Sequence, residues 1–558
     1  MTDRTRLLVS QLLLLLGACL FFFFFGLGAF GLVGADEPRY AQIAREMLAR
    51  HDWVVPTLNG QPWLEKPVLL YWKEAAAYRV FGLEDWVARL PAAFFASALV
   101  LAVFFFMRRF RFGSELDSAL ITATMAGIVG FGRAASTDML LAAPFCIALL
   151  AWWTWHKTES KVMLAGFYGL LGLAMLAKGP VAPALAVLIV AAYAWLRRQG
   201  QIFGRSLWPA GFAIFLLIVL PWYIAIQVKV PSFFKTFFLE HNLARFSTNL
   251  YRHPQPFWYY IPVFLLAVLP WIVFTVPALV VAVREGIRSF RAGRNVVEPP
   301  PSLTDATPQQ QEPPSPEQPA QAAADDGLEQ FLALWILIPI VFFSISQSKL
   351  PGYILPSIPP AAVLTAAYLF RTQGISRIKM MLHSLVCAAL VAGALLVPWI
   401  MLRQPLPEAT KTIIAVTTGV VAVFVLLVLR RGGLLLLRIA TLAPLALGLI
   451  FLLRWAAPTI DEALSARIVQ AELEQVGGAA GPVSVFNVKR EVEYGLNFYR
   501  NQPIGRYERE GVPAGRHVVI AREGSRDAVQ ALAGERQVTF LGRYNPQHLE
   551  FFLVSNSK

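Results

Sequence analysis

The sequence predicts an all-helical domain that crosses a membrane about thirteen times, followed by a small C-terminal α/β domain. Of the 558 residues, 56% are hydrophobic and 15% are charged, and the mean hydropathy is +0.55, whereas soluble domains carry about a quarter charged residues. Apolar runs long enough to cross about 30 Å of hydrocarbon recur along most of the chain. Residues 456–558 behave differently, with short β-rich runs between stretches of helical spacing. A soluble multidomain enzyme is therefore excluded.

The predicted spans are apolar runs separated by polar breaks. They lie near residues 7–33, 89–107, 118–133, 139–155, 162–177, 181–196, 207–227, 259–282, 329–346, 353–370, 380–402, 411–429 and 434–454. Alternate connections are rich in Lys and Arg, as at Arg108, Arg109 and Arg111, and the positive-inside rule places these connections in the cytoplasm. The N-terminus is therefore predicted to be cytoplasmic, and an odd number of spans brings the C-terminal domain to the opposite, external face.

Residues 1–455 are thus predicted to form the membrane domain, with three segments outside the bilayer. Residues 34–88 form a first external loop, whose amphipathic stretches are predicted to be helices lying along the membrane surface. Residues 228–258 form a second external loop. Residues 295–327 are rich in Pro, Gln and Ala, which predicts a disordered cytoplasmic linker.

Charged residues on the external side or at span ends carry the functional prediction, because burial of a charge near hydrocarbon is costly unless the charge is paired. These residues and their neighbouring tyrosines come from distant segments: Asp36, Glu37, Arg39, Glu65, Lys66 and Tyr71 in the first loop, Asp138 and Lys178 in two short connections, Arg252 in the second loop, and Lys349 and Tyr353 after the ninth span. Their convergence predicts one site at the external surface of the membrane. The cations suit a phosphate or pyrophosphate headgroup. The carboxylates suit a proton acceptor, a metal ligand or an orienter of sugar hydroxyls or amines.

Structural interpretations of the same residues stay open at this point. Asp36 could be a solvated residue at a helix end, and Lys66 could extend its ammonium group to the membrane interface. His241 and His253 are typical of surface histidines, although either could join Glu65 on a divalent ion. The sequence requires no cofactor and leaves a metal site undecided.

Four motifs resemble a known family. They are Asp36-Glu37-Pro38-Arg39-Tyr40, Glu65-Lys66-Pro67, Arg252-His253-Pro254 with Trp258-Tyr259-Tyr260, and Ser348-Lys349-Leu350-Pro351-Gly352-Tyr353. Together they resemble the bacterial 4-amino-4-deoxy-L-arabinose lipid A transferases, whose wider relatives are protein O-mannosyltransferases and other GT-C-type glycosyltransferases. The resemblance covers roughly residues 5–370.

The resemblance implies a GT-C fold with interfacial helices in the first loop and a periplasmic C-terminal domain, in a bacterial inner membrane. It also implies an undecaprenyl-phosphate-linked sugar donor and a lipid A acceptor. Asp36 would then be the catalytic carboxylate and Lys66 would hold the donor phosphate, with Lys349 and Arg252 as further phosphate contacts. Glu37 and Asp138 are further candidate catalytic carboxylates. Transfer by direct displacement would invert the anomeric carbon, and the added aminosugar would weaken binding of cationic peptides such as polymyxin.

Two other functions compete with this interpretation. A GT-C enzyme could use another polyprenyl-phosphate sugar or a protein hydroxyl acceptor, for which Asp36 would serve as the general base. A flippase for a lipid-linked sugar would carry ionisable residues at mid-membrane and an internal repeat, whereas the charges here lie at span ends. Membrane lipids are expected partners and nucleic acid is not, and the oligomeric state is left open.

Overall fold

The apolar runs form long helices in a computed structural model that describes residues 3–244, 255–291, 327–372, 376–402, 405–430, 433–476 and 481–556. Among these residues, ten helices are long and apolar enough to cross a membrane, and two further apolar helices, Val181–Leu196 and Phe257–Ala267, are shorter. The chain is therefore a multi-pass membrane protein with a mostly helical membrane domain, as predicted. The predicted linker at 295–327 lies almost entirely outside the described residues.

The helices are numbered in chain order. They are α1 (Asp3–Cys19), α2 (Asp36–Arg50), α3 (Leu69–Phe81), α4 (Asp85–Phe110), α5 (Glu115–Thr124), α6 (Ala126–Gly132), α7 (Thr137–Thr158), α8 (Lys161–Lys178), α9 (Val181–Leu196), α10 (Gly200–Ser206), α11 (Pro209–Lys229), α12 (Tyr260–Ala267), α13 (Ile272–Arg291), α14 (Leu328–Ile345), α15 (Ile358–Thr372), α16 (Arg377–Leu402), α17 (Glu408–Arg430), α18 (Leu434–Phe451), α19 (Ala457–Leu464), α20 (Ala466–Gln475), α21 (Arg490–Arg500), α22 (Tyr507–Glu510) and α23 (Arg526–Ala533). Short π-helical or 3₁₀ segments lie at Leu20–Phe24, Lys235–Ala244, Phe257–Tyr259, Pro351–Ser357, Leu452–Ala456 and Asn545–Gln547.

Two spans that the sequence predicted as continuous are broken. The run 118–133 divides into α5 and α6 at Met125, whose backbone is extended, and the run 259–282 divides into α12 and α13. The two breaks hydrogen-bond to each other: the Ala126 N–H donates to the Leu269 carbonyl at 2.8 Å. A backbone group freed inside a membrane protein must find a protein partner, and here each break supplies one for the other.

The C-terminal segment folds into a small domain around a mixed five-stranded sheet, as predicted. Its strands are β3 (Val483–Phe486), β4 (Gly505–Arg506), β5 (His517–Arg522), β6 (Gln537–Tyr544) and β7 (Leu549–Ser555), in the order β4-β3-β5-β7-β6. The first three strands in this order pair in parallel and the others pair antiparallel. A separate hairpin of β1 (Thr57–Leu58) and β2 (Gln61–Pro62) lies in the first loop. The sequence did not predict α21 or β4.

The C-terminal domain holds the segment that joins α1 to α2. The Gly31 N–H donates to Asp461 Oδ1 at 2.9 Å, the Leu32 N–H donates to the Tyr499 hydroxyl at 2.8 Å, and Val33 forms an isolated β-bridge with Ser465. A Cβ on Gly31 would lie 2.3 Å from Ser465 Oγ, so only glycine allows this approach. The C-terminal domain therefore fixes residues 31–33, which lead into Asp36.

Candidate active site

Asp36 begins helix α2, and the local sequence explains why the helix begins there. Asp36 and Glu37 place two carboxylates in the first turn, where they oppose the positive end of the helix dipole. Pro38 also lies in this turn, where its missing N–H costs no hydrogen bond. The helix ends at Arg50, and the capping residue His51 adopts the left-handed conformation. Asp36 is exposed, while the residues that follow it are buried.

Two arginines fix the irregular end of the first helix. Arg133 donates to the carbonyls of Phe22, Phe25 and Gly26 at 2.8 to 3.1 Å. Arg89 donates to three further carbonyls of the same segment, those of residues 27, 30 and 31, at 2.7 to 2.9 Å. Carbonyls at the end of a helix lack partners within the helix, and guanidinium groups supply several donors from one side chain.

Glu37 lies behind Asp36 and faces the interior. Its carboxylate accepts two hydrogen bonds from Arg89, one from the Ala135 N–H at 2.8 Å and one from the Val33 N–H at 2.9 Å. These contacts join α2, α4, the loop before α7 and the loop after α1. The Glu37 carboxylate thereby holds together four of the segments around Asp36.

One large cavity brings most of the predicted residues together. It has a volume of about 1040 Å³. Its charged lining residues are Asp36, Arg39, Glu65, Lys66, Asp138 and Lys178 from the membrane domain, and Lys489, Arg490, Glu491 and Arg509 from the C-terminal domain. Tyr40, Trp63, Tyr353 and Tyr494 add aromatic surface. We call this space the charged cavity.

Arg39 lies at the centre of one wall of the charged cavity. Its guanidinium donates to Asp36 Oδ1 at 2.6 Å and lies 3.9 Å from Glu65 Oε2. Three aromatic rings surround it. The guanidinium carbon lies 5.1 Å from the ring centre of Tyr40, 5.0 Å from that of Trp63 and 5.4 Å from that of Tyr494 in the C-terminal domain. Burial lowers the pKa of Arg39, but Tyr40, Asp36 and Glu65 outweigh burial and raise it, so Arg39 stays charged.

A second carboxylate and cation pair lines the cavity. Asp138 follows the capping residue Ser136 in the first turn of α7, and it forms an ion pair with Lys178, the last residue of α8. A cation at this end of a helix is favoured by the helix dipole. The ammonium of Lys178 also lies 5.0 Å above the ring of Tyr353. Gly352 makes room for this pair, because a Cβ there would lie 2.3 Å from Asp138 Oδ1.

Other predicted residues lie elsewhere. Tyr71 is fully buried and packs against Tyr40, with ring centres 6.0 Å apart. Lys349 is buried and donates to the Ser346 carbonyl, so it supports the loop that carries Tyr353. Neither residue lines the charged cavity, and Glu37 does not line it either. Arg252, like His253, lies outside the described residues.

The cavity-lining residues of the C-terminal domain were missed in the sequence. The domain carries no recognisable motif, and no role was predicted for Lys489 and Arg490. The available signal was an adjacent basic pair directly before an amphipathic helix on the face predicted for the site. Only the packing of α21 on α2 shows that this pair reaches the charged cavity.

Two residues that the sequence left open as metal ligands, Glu65 and His241, lie close together. Glu65 and His241 line a smaller neighbouring cavity of about 430 Å³. Within the described ranges, no group of three or more His, Cys, Asp or Glu side chains is arranged to hold a metal ion.

Comparisons with known proteins give the family. The family model described as dolichyl-phosphate-mannose-protein mannosyltransferase matches residues 9–237. The undecaprenyl phosphate-alpha-4-amino-4-deoxy-L-arabinose arabinosyl transferase of Serratia proteamaculans is 31% identical over 504 residues, which cover 83% of each chain. That of Edwardsiella ictaluri is 32% identical over 408 residues, 70% of this chain and 66% of the relative. This chain belongs to the arabinosyl transferase family.

The fold of this chain matches that of a solved protein, ArnT. The crystal structure of ArnT from Cupriavidus metallidurans bound to undecaprenyl phosphate superposes with a TM-score of 0.74 over 98% of both chains, at 22% identity. The apo crystal structure of the same protein gives a TM-score of 0.75. The predicted GT-C-type membrane fold with a small C-terminal sheet domain is confirmed, and the chain is a glycosyltransferase of the inner membrane.

Proposed function

We propose that this chain transfers 4-amino-4-deoxy-L-arabinose from undecaprenyl phosphate to a phosphate group of lipid A. The observation that carries the proposal is the charged cavity, where carboxylates and cations from distant segments surround one space of about 1040 Å³. Ligand pockets measure about 300–1,000 Å³, so this cavity is at the large end of that range. The relatives reported above carry the same donor and sugar in their names.

The membrane orientation is part of this proposal. The basic connections support a cytoplasmic N-terminus, and with it a charged cavity and residues 456–558 on the periplasmic side. Both substrates are lipids, and each buried CH₂ of a tail contributes about 0.8 kcal/mol, so the tails stay in the bilayer while the headgroups meet at its surface. The membrane domain, residues 1–455, supplies the wall of the cavity that is nearer to the lipid tails.

Lys66 and Lys178 are the proposed contacts of the donor phosphate. When the bond between the sugar and the carrier phosphate breaks, negative charge develops on the phosphate oxygens, and nearby ammonium groups stabilise this charge. Lys178 is already paired with Asp138, which holds its ammonium in place before the donor arrives. Lys349 supports the Tyr353 loop instead, because its ammonium donates to Ser346.

The acceptor phosphate needs no base in this reaction. One of its anionic oxygens attacks the anomeric carbon, the bond from that carbon to the carrier phosphate breaks, and undecaprenyl phosphate leaves with the electron pair. A single displacement inverts the anomeric carbon. Asp36 accepts from Arg39 through Oδ1, but its side chain is 57% exposed at the cavity, so its second oxygen can bind the ammonium group of the aminosugar. Glu37 acts as a positioning residue, since its carboxylate is occupied by Arg89 and two backbone N–H groups.

Mass spectrometry of lipid A tests the proposal. The chain is expressed in cells that lack their own transferase, as wild type, Asp36→Asn and Asp527→Asn. Asp527 is an exposed carboxylate on α23 and serves as the matched control. We expect aminoarabinose on lipid A from the wild type and the control, and a loss of roughly a hundredfold or more from Asp36→Asn. Unmodified lipid A from well-expressed wild type would reject the proposed function.

Mannosyl transfer to a protein hydroxyl is the second candidate, because the mannosyltransferase family model matches residues 9–237, which include Asp36, Lys66 and Asp138. A hydroxyl must lose a proton as it attacks, so Asp36 would then serve as the general base. Purified protein supplied with polyprenyl-phosphate mannose and a Ser- and Thr-rich peptide tests this candidate. Transfer of mannose to the peptide, together with unmodified lipid A in the cells, would favour it over the first.

A further inference from the structure

The charge of the cavity is divided unequally between the two domains. The membrane domain contributes three cations, Arg39, Lys66 and Lys178, and three carboxylates, Asp36, Glu65 and Asp138. The C-terminal domain contributes three cations and only one carboxylate, Glu491. The surplus of positive charge in this lining therefore comes from the C-terminal domain.

The two domains also differ in whether these charges are paired with other side chains. In the membrane domain, Arg39 is paired with Asp36 at 2.6 Å, and Lys178 is paired with Asp138. In the C-terminal domain, Lys489, Arg490 and Arg509 are exposed, and none of them makes an ion pair or a side-chain hydrogen bond with any residue that the structure describes. Their charge is available to a ligand without the loss of an existing contact.

The packing of α21 explains how these cations reach the cavity. Arg45 on α2 donates to the Phe498 carbonyl at 2.7 Å and lies 4.3 Å from the centre of the Phe498 ring. Tyr494 lies one turn closer to the start of α21 and packs on Arg39. The helix is thus fixed along α2, and its first turn, with Lys489 directly before it, opens into the charged cavity. Arg509, on the neighbouring helix α22, lines the same wall.

We propose that Lys489, Arg490 and Arg509 bind the phosphate of the acceptor lipid and hold it for attack on the donor sugar. This inference rests on the proposed function. An acceptor phosphate is doubly charged near neutral pH, and the paired charges of the membrane wall offer it little net attraction. The three free cations supply that attraction, and arginine adds a two-pronged donor for phosphate oxygens. The donor phosphate binds at the part of the lining that the membrane domain supplies, with Lys66 and Lys178.

Steady-state kinetics of the full-length purified protein test this assignment, with lipid A as acceptor and undecaprenyl-phosphate aminoarabinose as donor. The test variant is K489Q/R490Q/R509Q. Its charge-preserving partner is K489R/R490K/R509K. The matched control is R516Q/R522Q/R526Q, which removes the same charge from exposed positions of the same domain that do not line the cavity.

We expect the test variant to raise the KM for lipid A roughly tenfold or more at low ionic strength, while the KM for the donor changes less than about twofold. The charge-preserving variant retains most of the affinity, and the control stays close to wild type. Because salt screens exposed charges, added salt should raise the acceptor KM of the wild type more than that of the test variant.

Three results would overturn the inference: an unchanged acceptor KM in the test variant, an equal rise in both KM values, or an equal effect in the control. Each of these requires an active wild type, so each rejects the acceptor site while the proposed function stands. A wild type that transfers no sugar to lipid A would reject the proposed function and the acceptor site together. Thermal unfolding of all variants in detergent checks that the domain is intact.

Discussion

Arg89 Nη2 lies 2.7 Å from Glu37 Oε2, and Arg89 Nε lies 3.1 Å from Glu37 Oε1, so the two side chains form a buried two-pronged ion pair. The same guanidinium also binds three carbonyls between α1 and α2. Asp36 directly precedes Glu37. The pair therefore fixes the position of the carboxylate that faces the charged cavity.

Removal of one partner of this pair should destabilise the protein. Glu37→Gln leaves the Arg89 charge buried without its counter-charge, which typically costs about 3–5 kcal/mol of unfolding free energy. Thermal unfolding in detergent measures the loss. Glu84→Gln, at an exposed carboxylate, is the control and should be near neutral. The double variant Glu37→Gln with Arg89→Met should lose less than the sum of the two single variants, and strict additivity would contradict the pairing.

Glu74 should make stability depend on pH. It is fully buried on α3, and neither of its carboxyl oxygens has a hydrogen-bond partner among the described residues. Burial, and then the charge of Glu37, raise the pKa of Glu74 well above its ordinary value of 4.5. Above pH 4.5 the unfolded chain releases this proton while the folded chain keeps it, so stability falls as the pH rises until it passes the folded pKa.

Glu74→Gln removes this titration. The variant should therefore match the wild type near pH 4.5 and become more stable than it as the pH rises, with a difference that levels off above the folded pKa. Melting temperatures from pH 4.5 to about 9 in detergent give the comparison. A difference that stays constant across this range would show that Glu74 keeps its ordinary pKa.

Gly352→Ala should impair transfer by moving Asp138. The added Cβ would lie 2.3 Å from Asp138 Oδ1 and 3.0 Å from Phe131 Cε1, so the carboxylate must leave its place beside Lys178. A shift of about 1 Å in a reacting group can cost a hundredfold in rate, and we expect a loss of roughly ten- to a hundredfold in kcat. Gly393→Ala is the control, because nothing lies within 4 Å of its added Cβ. Equal activity in both variants would remove Asp138 from the site.

Tyr499→Phe should loosen the docking of the C-terminal domain. The hydroxyl accepts from the Leu32 N–H at 2.8 Å and donates to Asp85 Oδ1 at 3.0 Å. Its loss leaves a backbone N–H without a partner, which costs about 1–3 kcal/mol. Hydrogen exchange at residues 31–35 should become faster. Tyr507→Phe is the control, because its hydroxyl bonds to His517 inside the domain. Faster exchange at residues 31–35 in the control alone would contradict this docking contact.

Part of the candidate site could be predicted from the positions of charged residues relative to the predicted spans. Asp36, Asp138 and Lys178 stand at span ends and Lys66 lies within the first loop, all on the same predicted side, and all four line the charged cavity. Glu37 shows the limit of such reasoning. It is adjacent to Asp36 and has the same chemistry, but a helix turns by about 100° per residue, so the neighbouring side chain points into the core toward Arg89.

The amino-acid sequence by itself determined that this chain crosses a membrane many times, that its tail forms a separate sheet domain, and that charges gather on one side. These properties follow from how apolar each continuous run is and from the spacing of its apolar residues. Both are local features of the sequence. Only the tertiary structure decided that the breaks in two spans bond to each other, that Lys349 supports a loop, and that Lys489 and Arg490 face the cavity. These outcomes depend on which distant backbone and side-chain groups meet, since a buried polar group must find its partner wherever the fold supplies one.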